Sequence, residues 1–412
     1  MIKYDKFQLE NGLKVIVHQD KSTPIACLNI LYNVGSRDEN PEQTGFAHLF
    51  EHLMFGGSVN IPNYDEPLQR VGGENNAYTT NDITNYYLTL PAENLDTGFW
   101  LESDRMLSLA FSDKSLEVQR SVVIEEFKQR YLNQPYGDVW LLLRPMVYKV
   151  HPYQWDTIGK EISHIENAQM QDVKDFFKKF YCPNNAIMVV AGNVELEEVK
   201  MLSEKWFGPI PKGPENNRNL PKEPEQTEAR SLTVERDVPA DAIYKAYHMC
   251  SRYDKEYYAT DLISDILSRG NSSRMHNALI KDKKLFSDLH AYVMGDFDKG
   301  LFVVSGKLSS GVTMEEAENG INAELDKMKN EFVAPEELQK VKNKMEASSV
   351  FGEVEVLNKA ANLAVSELLG DADMVNKEVE KYLAVTAEQI KEQATIIFRK
   401  ENCSTLYYKS KK

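Results

Sequence analysis

Hydrophobic and polar positions along this chain follow one plan twice: paired strand patterns, then long helical stretches, then a late strand. The late strand is residues 186–192 in the first half and 404–408 in the second, both dense in β-formers. Between the halves, residues 209–224 mix Pro, Asn and charge without periodicity, which reads as an exposed linker. Strand runs segregated from helical runs predict an α+β class rather than alternating βαβ units. Residues 76–88 read as a hairpin rich in Thr and Tyr. Residues 118–128 carry a helical pattern ending in the adjacent carboxylates Glu125 and Glu126.

One apolar helical segment carries chemistry. From Gly45 to Phe55 the chain reads G-F-A-H-L-F-E-H-L-M-F, and Gly56-Gly57 supply a stop. Thr44 is the expected N-cap. His48, Glu51 and His52 stand at i, i+3 and i+4, so their side chains share one face. Two imidazoles a turn apart can bind one zinc, and Glu51 beside them can take a proton from an attacking water. The spacing is H-x-x-E-H, the inverse of the commoner H-E-x-x-H. The chain has only 8 histidines in 412 residues, so composition makes this pairing improbable. Satisfied structural histidines would leave three polar groups on an apolar helix without a partner. A catalytic zinc needs a third ligand. Glu125 and Glu126 both qualify by type, and because they point about 100° apart only one can face the metal.

Bulk properties narrow the field. A length of 412 residues exceeds one ordinary core and predicts at least two domains. No apolar run approaches the ~20 residues a membrane helix needs, and the first residues run straight into a strand pattern. Cys27, Cys182, Cys250 and Cys403 are widely spaced and form no C-x-x-C, so a reducing cytoplasm is the expected location. The net charge of −15 argues against nucleic acid as a partner.

The H-x-x-E-H helix, followed some seventy residues later by Gln119-Arg120-Ser121-Val122-Val123-Ile124-Glu125-Glu126, resembles the pitrilysin family of zinc metallopeptidases. Residues 7–17, 71–80, 151–153 and 181–186 resemble further segments of that family. The resemblance implies two similar α+β domains, each an antiparallel sheet packed by helices, related by an internal pseudo-repeat. Expected bounds are 1–212 for the metallopeptidase domain, 213–224 for the linker and 225–412 for the second domain. It makes Glu126 the third zinc ligand, with one zinc per chain, and turns Glu125 away. Asn76 and Ala77, on an edge strand, become the substrate contacts. Gln119 falls where the family has a carboxylate close to the metal.

A second departure lies in the other half. The family's C-terminal Arg/Tyr pair, seven residues apart, meets Lys281 and Asp288 here, and the usual turn Gly is absent. Tyr292, four residues on, is expected on the wrong face to substitute. The expected activity is therefore that of a zinc-dependent endopeptidase subunit acting on peptides or unfolded segments. The expected partner is a related subunit that supplies Arg and Tyr in a heterodimer, with a homodimer as runner-up. The alternative is a non-catalytic assembly subunit.

Overall fold

The computed structural model describes residues 1–411. Its first sheet has six strands: β1 (Asp5–Gln8), β2 (Lys14–Gln19), β3 (Ile25–Tyr32), β4 (Glu74–Thr79), β5 (Thr84–Pro91) and β6 (Ala186–Gly192). The spatial order is β1-β2-β6-β3-β5-β4. Its second sheet holds β7 (Arg230–Arg236), β8 (Ala242–His248), β9 (Phe286–Met294), β10 (Leu301–Leu308) and β11 (Cys403–Ser410), in the order β7-β11-β8-β10-β9. In both sheets the last strand of the chain order inserts beside the first long one. The pseudo-repeat is thus visible in the topology. The sheets are not purely antiparallel, because β2 pairs β6 and β7 pairs β11 in parallel. A strand that returns after a long helical excursion can enter in either direction, whereas a tight hairpin cannot.

Two compact units result, and neither is a contiguous half. One comprises residues 1–129, 155–220 and 350–377; the other comprises 130–154, 221–349 and the chain from Glu378 onward. The boundaries thus differ from a single cut at the linker, and two helices explain the difference. Helix Val139–Val147 buries Val139, Leu143 and Val147 against Ala242, Ala246, Leu301 and Leu406 of the second sheet. Helix Val356–Leu368 packs on β3 and β6 of the first, burying Ala360, Leu363 and Ala364. Its Glu367 accepts from Lys6 at 2.8 Å and Lys14 at 3.0 Å. A local pattern tells a helix which face is apolar, but not which sheet covers it.

The linker has no regular structure over residues 211–227, yet it is tied down. Arg218 pairs with Asp38, and Glu223 accepts the backbone N–H groups of Lys149, Val150 and His151 at 2.8–3.0 Å. Among the described residues, no helix is long and apolar enough to cross a membrane.

Candidate metal centre

The H-x-x-E-H segment forms the helix Phe46–Leu53 in the first unit. Phe46, Ala47, Leu49, Phe50 and Leu53 are buried, and Phe50 stacks on Phe176 and Tyr181 at 5.0 and 5.1 Å. That apolar face locks the helix rotation and leaves His48, Glu51 and His52 together on the other. The start of the helix differs from expectation. Gly45, at φ +89°, is the N-cap, and a Cβ there would stand 2.8 Å from the Ile158 carbonyl oxygen. Thr44 Oγ1 instead accepts from the Lys160 N–H and pairs with His164.

The free N–H groups of this first turn are met from outside. Glu39, buried, accepts from Gly45 and Ala47 N–H at 2.9 Å each and from Trp155 Nε1 at 3.0 Å. Burial pushes its carboxyl up from 4.5 to about 8 against these three donors. The native state therefore holds this proton more tightly than the unfolded chain. The stability Glu39 contributes is full below about pH 4.5 and is lost as pH rises through about 8. Thermal melts from pH 5 to 8 are expected to slope downward in the wild type and to flatten in Glu39→Gln.

The second half of the centre comes from helix Asp113–Phe127, whose N-cap Ser112 accepts from Ser115 N–H at 3.1 Å. Leu116, Val123 and Phe127 fix its buried face, and Arg120 anchors it to the Ile165 and Ala168 carbonyls. Glu126 faces the histidines: its Oε2 lies 3.6 Å from His48 Nε2 and 3.4 Å from His52 Nε2. The two Nε2 atoms are 3.3 Å apart. Glu125 turns outward to Lys128 at 2.7 Å. Zinc bonds of 2.0–2.1 Å in a tetrahedron put neighbouring ligand atoms about 3.3 Å apart. The three observed separations fit that edge length, so this donor set suits a zinc ion. Among the described residues it is also the one cluster of His, Cys or acid side chains with metal-binding separations.

Glu51 is half-buried, and Thr79 Oγ1 donates to its Oε2 at 2.5 Å. Thr79 ends β4, which is an edge strand of its sheet and packs beside the motif helix. Asn76 and Ala77 lie on that strand; Asn76 is exposed and its Oδ1 accepts from Ala77 N–H at 2.8 Å. Gln119 is half-buried one helical stretch before Glu126 and near Gly56, just past the motif helix. Beneath β5, Arg105 forks onto Glu102 at 2.6 and 2.8 Å, both fully buried, with its guanidinium over the Tyr64 and Tyr86 rings. Tyr64 also donates to Glu102 at 2.6 Å. Arg105→Met is expected to cost about 3–5 kcal/mol in chemical denaturation, because it strands a buried carboxylate.

Sequence reasoning singled out His48, Glu51, His52 and Glu126, and the fold brings them together. It missed Glu39 and Thr79, neighbours only in space. In the second unit Lys281 is exposed, and Asp288 on β9 accepts from Lys307 Nζ at 3.1 Å. Strand alternation gives Tyr292 the same face as Asp288, and it packs on the apolar cluster under helix Val139–Val147. Lys284 takes a left-handed φ of +54° at the turn where the glycine is absent.

Comparison with known proteins places the chain in a family. A family model described as insulinase (peptidase family M16) matches residues 14–139, and one described as peptidase M16 inactive domain matches residues 167–345. The chain belongs to the M16 peptidase family. The zinc protease PqqE of Helicobacter pylori is 30% identical over 99% of this chain and 93% of its own length. The mitochondrial-processing peptidase subunit beta of Saccharomyces cerevisiae is 29% identical over 50% of this chain and 44% of its own. Among solved structures, a protease from Helicobacter pylori superposes with a TM-score of 0.93 at 29% identity, covering 99% of this chain and all of that one.

Proposed function

We propose that this chain is a zinc-dependent endopeptidase subunit, with one zinc held by His48, His52 and Glu126. The observation that carries the reading is the convergence of three ligand atoms at tetrahedral-edge separations with Glu51 beside them. Bound zinc would polarise the scissile carbonyl and bring the pKa of water down to about 7. Glu51 accepts the proton of the attacking water as its oxygen adds to the carbonyl carbon, and returns it to the leaving amine. Asn76 and Ala77 on the edge strand hold an extended peptide by main-chain hydrogen bonds, which suits unfolded segments rather than folded proteins. Gln119 supports the ligands as a neutral group. The location expected for such a chain is the cytoplasm.

A second reading, a non-catalytic subunit, draws on the match of residues 167–345 to a domain described as inactive and on Lys281 and Asp288. Lys cannot reproduce the planar fork of Arg. The full proposal is therefore a heterodimer in which a related chain supplies the Arg/Tyr pair, with a homodimer as its rival. Unstructured peptides should be cleaved poorly by the purified zinc-loaded chain, and turnover should rise on mixing with that partner. Robust turnover alone, with no gain on mixing, would contradict the division of labour. Zinc-loaded chain and partner that together cleave nothing would favour the non-catalytic reading.

A further inference from the structure

The last residue of the edge strand reaches across to the motif helix. Thr79 pairs with Thr84 across the β4–β5 hairpin, whose turn is closed by the Thr80 N–H to Ile83 carbonyl bond at 2.8 Å. Its backbone is thus fixed by the sheet. Its side chain is half-buried and donates to Glu51 Oε2 at 2.5 Å, in the range of a hydroxyl–carboxylate bond. A Glu side chain has three rotatable bonds, and a carboxylate at the rim of an open site loses its working geometry easily. A donor on a rigid strand restricts the carboxylate to one orientation against the helix.

We propose that Thr79 is a positioning residue that sets the orientation of Glu51, an inference that rests on the peptidase reading above. The strand carrying Thr79 also carries Asn76 and Ala77, three and two residues earlier along it. Substrate backbone and proton acceptor would then share one rigid reference, so a peptide added to the strand edge meets the carboxylate in a set register. General-base steps depend on this: displacements of about 1 Å cost on the order of a hundredfold.

Thr79→Val keeps the branched shape and removes the donor; Thr79→Ser keeps the donor and removes the methyl group. In the zinc-loaded protein with its active partner, Thr79→Val should lower kcat by about 10- to 100-fold while KM and zinc content hold. Thr79→Ser should stay within about threefold of wild type on the same argument. Crystal structures should show the Glu51 carboxylate displaced in the Val variant and in place in the Ser variant. Unchanged kcat in Thr79→Val, equal damage from both variants, or loss of zinc would overturn the inference. If Thr79→Val does not fold, Thr79→Ala takes its place under the same criteria. Should the wild type cleave no peptide, the peptidase reading fails by itself, while the carboxylate position still tests the Thr79 bond.

Discussion

Glu51→Gln should leave zinc content at the wild-type level and lower kcat by about 10²- to 10⁴-fold, the contribution of a positioned acid–base group. The amide is nearly isosteric and carries no carboxylate, so it cannot accept the water's proton at neutral pH. The fold should tolerate it, because Glu51 lies on the polar face of its helix and Phe50, on the opposite face, supplies the anchoring stack. The Thr79 hydroxyl can still donate to the amide oxygen. Steady-state kinetics with a quenched peptide, alongside elemental analysis, separates the two effects. A variant that cleaves at the wild-type rate would remove Glu51 from the chemistry; one that loses zinc would make it structural.

Glu126→Gln should weaken zinc itself by at least about a hundredfold, since loss of mere supporting partners already costs 10- to 100-fold. Glu125→Gln should change affinity by less than about twofold, because an exposed ion pair of this kind is worth at most ~1 kcal/mol and faces away from the site. The pair is a register test. Adjacent helical residues diverge by about 100°, so one swap must matter and the other must not. Competition titration against a chromogenic chelator reads both constants. The opposite ranking would place the helix one residue out of register.

The sequence made the site legible because its chemistry is local. H-x-x-E-H needs only helical periodicity to put three side chains on one face, and Glu126 needed only the family spacing. The late strands 186–192 and 404–408 were legible for a similar reason: β-dense runs bounded by turn residues. What lay hidden was non-local. The cap on the motif helix comes from Glu39, nine residues before His48, and not from the adjacent Thr44. A hydrogen-bond donor to Glu51, Thr79, stands 28 residues away on another element. Helices Val139–Val147 and Val356–Leu368 pack on sheets from the opposite half of the chain, because an apolar stripe names no partner. Parallel pairing of β2 with β6 and of β7 with β11 was equally invisible, since side-chain alternation is the same in both directions.

Elemental analysis of the purified wild type beside the His48→Ala, His52→Ala double variant tests the central assignment most directly. About one zinc per chain is expected in the wild type, and none in the double variant, because a lone Glu126 does not hold a catalytic metal. Far-ultraviolet circular dichroism should match between the two, since both substitutions lie on the polar face of the helix. Full zinc occupancy in a folded double variant would contradict the site.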